Sequence, residues 1–428
     1  MIARRALFIA AILMMLFVRP ASAQVDCSQC HPDLAQGKSV HAAVAMGCDS
    51  CHSAIDASNI PHKKTNKIPR GLSSAQPALC YGCHDKSKFT QKTVHAALGM
   101  GCTSCHSPHS SKSDKLLIAD PGELCYNCHD KAKFTKKTVH AALGMGCTTC
   151  HNPHSTKSAK LLASDQPGLC YTCHDKAKFT QKVVHAALGM GCTGCHSPHS
   201  TDQPKLLAAD QPAVCLPCHD KKKFSDKVVH AAVGMGCTGC HGPHSSKNAK
   251  LLLSDQPDLC YTCHDKSIFT KKNVHAAVAM GCTSCHSPHA ARNAKLLQSD
   301  PPALCFNCHD KTEFSKKNVH AAVGMGCAVC HTPHSSDEMA LLAKPPVETC
   351  LECHPNVANA PHVVAGFSAK RHPIGEPQKS GRYRKDPARP DKPFYCGSCH
   401  SPHSSDSMRL FRYPVKTTME ICSKCHKM

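Results

Sequence analysis

Apolar residues in this 428-residue chain fall into one long run and many short islands. The run, Ala6 to Val18, follows Arg4 and Arg5 and precedes the small residues Ala21-Ser22-Ala23. That arrangement predicts an export signal over residues 1–23, cleaved so that the mature chain starts at Gln24. The alternative, an uncleaved anchor, needs roughly 20 apolar residues, and the run is shorter. No later stretch is apolar enough to span a membrane. Cys27, the first cysteine, lies beyond the cleavage point, which argues against a lipid anchor.

The islands recur with a period of 45 residues. One repeat carries Phe134, then Val139-His140-Ala141-Ala142, then Met145-Gly146, then Lys160-Leu161-Leu162, with polar chain between them. Phe134 to Leu143 has helix-forming composition and stops at Gly144, so a helix of two to three turns carrying His140 is expected there, with loop elsewhere. Six such repeats fill 80–349. The segments 24–79 and 350–428 depart from them, the latter with a Lys-, Arg-, Pro- and Gly-rich stretch over 366–393 that reads as a solvated loop or as a docking surface for an acidic partner. The fold expected is mostly irregular with short α-helices and little or no β-sheet: an elongated, solenoid-like chain in which each repeat touches mainly its neighbours.

Side chains alone cannot fill such a fold. Trp is absent and aromatics make up 4%, whereas Cys and His number 34 each. Every cysteine belongs to a Cys-x-x-Cys pair, and His follows every pair. The first motifs are Cys27, Cys30 and His31; Cys48, Cys51 and His52; Cys80, Cys83 and His84; Cys102, Cys105 and His106; Cys125, Cys128 and His129; Cys147, Cys150 and His151. The next are Cys170, Cys173 and His174; Cys192, Cys195 and His196; Cys215, Cys218 and His219; Cys237, Cys240 and His241; Cys260, Cys263 and His264; Cys282, Cys285 and His286. The last are Cys305, Cys308 and His309; Cys327, Cys330 and His331; Cys350, Cys353 and His354; Cys396, Cys399 and His400; Cys422, Cys425 and His426.

Two thiols at this spacing suit thioether bonds to the two vinyl groups of one haem, with the adjacent His as proximal iron ligand. A disulfide framework and a series of zinc ribbons are the competing readings, and neither requires His after each pair. The expected cofactor is therefore haem c, about seventeen per chain. The Lys-Leu-Leu and Met-Gly elements are then expected to pack against haem faces, with Met as an iron ligand the lesser alternative.

Seventeen further histidines match the seventeen motifs. Seven stand in Val-His just upstream of a Met-Gly-Cys motif: His41, His95, His140, His185, His230, His275 and His320. Nine follow proline: His62, His109, His154, His199, His244, His289, His334, His362 and His403. The last is His372, upstream of Cys396. Equal numbers point to a distal histidine for every iron, and hence to electron transfer rather than catalysis, which needs an open position. Each Val-His is expected to serve the motif seven residues after it. Each Pro-His must serve a neighbouring site, because His109 lies too close to His106 to reach around the same porphyrin.

The formal charge of +21 would ordinarily suggest an acidic partner. Two propionates per haem offset most of it, so the basic residues read as propionate partners and nucleic acid is not expected. Reduction then makes the protein progressively more negative and spreads the potentials. Two imidazoles per iron, without Met, set those potentials low.

The block from Cys147-Thr-Thr-Cys150-His151-Asn-Pro-His154 to Leu169-Cys170-Tyr-Thr-Cys173-His174 resembles the doubled-CxxCH multihaem cytochromes, and the resemblance recurs over about 80–350. That family includes periplasmic electron carriers and decahaem cytochromes seated in outer-membrane porins. The resemblance implies a bis-histidine haem wire with Pro-His and Val-His as distal ligands. Seventeen sites exceed the decahaem pattern. The expected role is respiratory electron transfer in the periplasm, at the outer membrane or outside the cell. An inner-membrane quinol oxidase or periplasmic cytochrome would be the donor, and an outer-membrane or surface cytochrome, porin-associated or not, the acceptor. The rival readings are an extracellular cytochrome filament and a multihaem reductase with one five-coordinate haem.

Overall fold

A computed structural model describes residues 26–359 and 384–427. The export signal, His362, His372 and most of the basic stretch lie outside the described residues.

The longest helices in the repeats have six residues, and most ordered backbone is 3-10 turn. One repeat runs through the turns Ala96–Met100 and Cys102–Ser104, the strand Ser110–Ser111, the turn Asp114–Leu116, the α-helix Pro121–Tyr126 and the turn Lys131–Phe134. Gly101, at φ 90°, separates the first two turns, a backbone conformation that disfavours a side chain. The side chain of Asp130, the residue after the motif histidine, accepts from the Ala132 N–H at 3.0 Å and starts the last turn. The expectation of short elements, repeated, with little sheet describes this architecture.

The predicted helix from Phe134 to Leu143 does not form. The turn Lys131–Phe134 ends there, Thr138–Val139 is a strand, and His140 sits extended ahead of the turn Ala141–Met145. Thr138 and Val139 are β-branched, and they pair antiparallel with Ser200 and Thr201. Lys136 and Lys137 offer no apolar face that would hold a helix against that pairing.

The same pairing recurs along the chain. Ser39–Val40 joins Ser110–Ser111, Thr93–Val94 joins Ser155–Thr156, Val183–Val184 joins Ser245–Ser246, and Asn318–Val319 joins Ser404–Ser405. Each strand therefore reaches the following repeat. The described chain divides accordingly into two compact bodies: 26–174 with 191–208, and 175–190 with 209–359 and 384–427. The exchange occurs because Ser200 pairs backward to Val139 whereas Val184 pairs forward to Ser245.

A buried serine fastens five of these junctions. Ser200, 4% exposed, donates from Oγ to the Lys133 carbonyl at 2.9 Å and accepts from the Lys136 N–H at 3.2 Å. Ser155, Ser245, Ser335 and Ser404 repeat both bonds. Ala290 stands in this place in one repeat. Apolar burial contributes little: among the described residues only Ala54, Ala291 and Phe411 are buried hydrophobics. The methionines of the Met-Gly-Cys motifs are exposed, from 65% at Met46 to 80% at Met235.

The C-terminal segment has a polar core instead. A hairpin of Lys385–Asp386 and Arg389–Pro393 buries Asp386 to 1% exposure against Arg389, at 2.7 Å. Arg389 and Arg412 both donate to the Gly397 carbonyl inside the Cys396 motif. Burial alone would raise the Asp386 pKa, but bonds from Arg389, Ser398 and the Ala388 N–H outweigh it and hold the carboxyl below its ordinary value.

Two predictions follow from these contacts. Ser200→Ala should lower stability by about 1–3 kcal/mol, the cost of stranding a buried donor and acceptor, and speed exchange at the Lys136 amide in the holoprotein. Ala290→Ser should slow exchange at the Asp226 amide, its counterpart. An unchanged exchange pattern in both would show that the serines do not fasten the junctions. For Asp386, the folded pKa lies below the unfolded one, so its contribution is complete above about pH 4 and is lost as pH falls through the folded value. Exchange in 385–412 should accelerate in that acid window, and Asp386→Asn should remove this part of the pH dependence.

Candidate haem-binding sites

Each motif is wound on one tight turn. The N–H groups of Cys105 and His106 both return to the Cys102 carbonyl, at 3.3 and 3.0 Å, and Cys128 and His129 do the same to Cys125, at 3.2 and 3.0 Å. Two thiols and an imidazole thus leave a single turn, as two-point attachment with axial ligation requires.

The imidazoles of motif and spare histidines face each other in pairs. His106 meets His154 with ring centroids 5.9 Å apart, and His95 meets His129 at 6.1 Å. His31–His62, His41–His84, His52–His109, His140–His174, His151–His199 and His185–His219 stand at 5.9 to 6.1 Å. So do His230–His264, His241–His289, His275–His309, His286–His334, His320–His354 and His331–His403. Two imidazoles bonded at about 2 Å on opposite sides of one metal hold their centroids roughly 6 Å apart. The spacing therefore fits one iron between each pair. A bare zinc site needs several converging ligands, and no group of three or more His, Cys, Asp or Glu side chains converges in that way among the described residues.

The partners differ from those expected. His95 does not face His106, the histidine of the motif that follows it, but His129. Pro-His residues face the Met-Gly-Cys set and reach upstream: His109 to His52, His154 to His106. The cause is the strand pairing, which continues as the His95 N–H donates to the His154 carbonyl at 2.8 Å. The two spare histidines are thereby set side by side and reach different motifs. His62, facing His31 at an interplanar angle of 60°, departs from this rule. In the last repeat, the place of Val-His seven residues before Cys396 is held by Arg389.

Phenylalanine orders the Pro-His rings. Phe89 packs on His154 at 4.9 Å, Phe134 on His199 at 4.8 Å and Phe314 on His403 at 4.6 Å, each from the preceding repeat. Burial pushes the pKa of His154, His199, His289, His334 and His403 down, which favours the neutral, ligating form.

Thiols of successive motifs also adjoin. Cys80 is pushed up to about 11 by burial and by the Cys102 thiol beside it, and Cys125 likewise by burial and Cys147. Cys170 with Cys192, Cys260 with Cys282 and Cys305 with Cys327 repeat the arrangement. The anchor points of two successive sites are thus neighbours.

The Lys-Leu-Leu element has a role that its sequence does not display. Lys115 and Leu116 lie at φ 54° and 57°, and the Lys115 carbonyl takes a hydrogen bond from His106 Nδ1 at 2.9 Å. The recurrence of the element at nine residues after the motif histidine is its one sequence signal.

A chain of repeated turns, most of which present two thiols and an imidazole to a second imidazole across the width of one iron, is built as a multihaem c-type cytochrome. The doubled CXXCH motif model matches residues 41–89, 95–134, 140–179, 185–224, 230–268, 275–314, 320–359 and 387–428. The chain belongs to the doubled CXXCH motif family. No curated protein matches it.

The pairing predicts that His154→Ala leaves one haem per chain high-spin and open to carbon monoxide. Removing the Cys102/Cys105 site in the same chain should abolish that signal, and removing the Cys125/Cys128 site should leave it. The opposite dependence would reassign His154.

Proposed function

We propose that the chain carries about seventeen haems c and passes electrons between them as a bis-histidine conduit, in the periplasm or at the outer membrane of a respiring bacterium. The observation that carries this reading is the facing of motif and spare imidazoles at about 6 Å along the chain. Bound between such a pair, haem supplies a reversible one-electron couple at its iron. The paired imidazoles would hold the iron from both sides and so leave no open position for substrate. Because both are set by backbone turns and strand pairing, they would stay in place in either oxidation state of the iron. Adjoining thiols bring successive sites together, so that electrons pass between neighbours. The signal-like residues 1–23 support export, and an exported carrier of this kind would take electrons from a quinol oxidase or a periplasmic cytochrome and pass them to a cytochrome at the outer membrane or cell surface. No helix among the described residues is long and apolar enough to cross a membrane.

Intact mass with pyridine haemochrome analysis should give about seventeen haems per chain, and low-temperature EPR of the oxidised protein should show low-spin iron alone. A high-spin signal worth one haem, with carbon monoxide binding, would replace the conduit by an enzyme.

A further inference from the structure

The two kinds of motif histidine differ in what holds Nδ1. In the Met-Gly-Cys set, Nδ1 donates to a main-chain carbonyl at 2.8 to 3.0 Å: His106 to Lys115, His151 to Lys160, His331 to Ala340, His400 to Arg409. His52 reaches Arg70 in the same way. The other set, from His84 through His129 to His354, is exposed, and no protein group among the described residues accepts from its rings.

The acceptor residue is held at a cost. Lys115, Lys160, Ala340 and Arg409 have φ of 51° to 55°, and the leucine after each is also left-handed, at 56° to 58°. Two successive non-glycine residues in this region are strained, and such strain persists where the surroundings impose it. Side-chain identity does not account for it, since Lys, Ala and Arg all occupy the place. What they share is the carbonyl aimed at Nδ1.

We propose that these left-handed residues are positioning residues whose carbonyl fixes the Nδ1-H tautomer of the motif histidine, leaving Nε2 for iron, and makes the Met-Gly-Cys sites the lower-potential class. The inference rests on the haem reading above. A ligating imidazole that donates to a carbonyl is more basic and favours ferric iron, whereas one hydrated by exchanging water is less so. The sites thus alternate in potential along the sequence, two interleaved series in place of one graded slope.

Ligand planes tell the series apart except at two sites of the other set, His320–His354 at 26° and His31–His62 at 60°, whose tilted signals should be lost early with the near-parallel ones. Six Val-His pairs are nearly parallel, at 8° to 12°. The Pro-His pairs of the Met-Gly-Cys set are tilted by 20° to 44°. Wider angles between imidazole planes give more anisotropic low-spin EPR signals. The holoprotein, poised at stepped potentials and frozen, should lose the near-parallel signals first and keep the tilted ones to lower potential. Equal or reversed order overturns the proposal. In the full chain, Lys160→Gly, which tolerates positive φ, should leave the profile unchanged. Lys160→Val, which resists it, should move one tilted haem to higher potential. An unmoved haem in a folded Lys160→Val protein also overturns it, and if that variant does not fold, the unaltered protein decides. Absence of covalently bound haem would instead sink the reading on which this one rests.

Discussion

The imidazole pair is the constraint on which the rest of the chain depends. Without it the polypeptide has three buried hydrophobic side chains among its described residues and, in the repeats, strands of two residues. Isolated two-stranded ribbons are marginal at best, and 3-10 turns of three to five residues have no stability of their own. A metal between two imidazoles and a porphyrin on two thiols would supply both the cross-link and the apolar mass that such a chain lacks. The exposed Met46, Met100 and Met235 make sense as walls for that mass.

Taken from one Val-His to the next, a repeat has two different closures. His95 and His129 belong to the same stretch, 95–134, and close it on itself. His106 of that stretch is met by His154 of the next, 140–179, and ties the two together. The strand pair Thr93–Val94 with Ser155–Thr156, the Ser155 bonds to Lys88 and Gln91, and the stacking of Phe89 on His154 all act at the second kind of closure. Polypeptide contacts are therefore concentrated where a site spans two repeats.

The chemistry was legible in the sequence because covalent attachment fixes residue types and spacing together: Cys102, Cys105 and His106 admit few other uses. The presence of a second ligand was legible from number and context. Its partner was not, because His95 lies nearer in sequence to His106 than to His129, and only the backbone pairing of His95 with His154 separates them. The helix expected over Phe134–Leu143 misled for a related reason. Its composition is a local property, while the strand at Thr138–Val139 depends on Ser200 and Thr201, sixty residues on. The left-handed Lys115-Leu116 pair left no trace in residue type, since neither residue favours that conformation.

Chain length does not decide which closure is local. His95 and His129 are 34 residues apart and His106 and His154 are 48, and the difference in closure entropy is only about 0.3 kcal/mol. The distinction is directional. As the chain is made from its N-terminus, His95 precedes the motif it faces, whereas His106 waits for a partner that follows it. The sites of His52, His106, His151, His241, His286 and His331 are thus finished by a later stretch of chain, where the left-handed carbonyl and, at most of them, the serine bond and the phenylalanine gather. The polypeptide spends its few ordered contacts on the sites that it cannot complete locally.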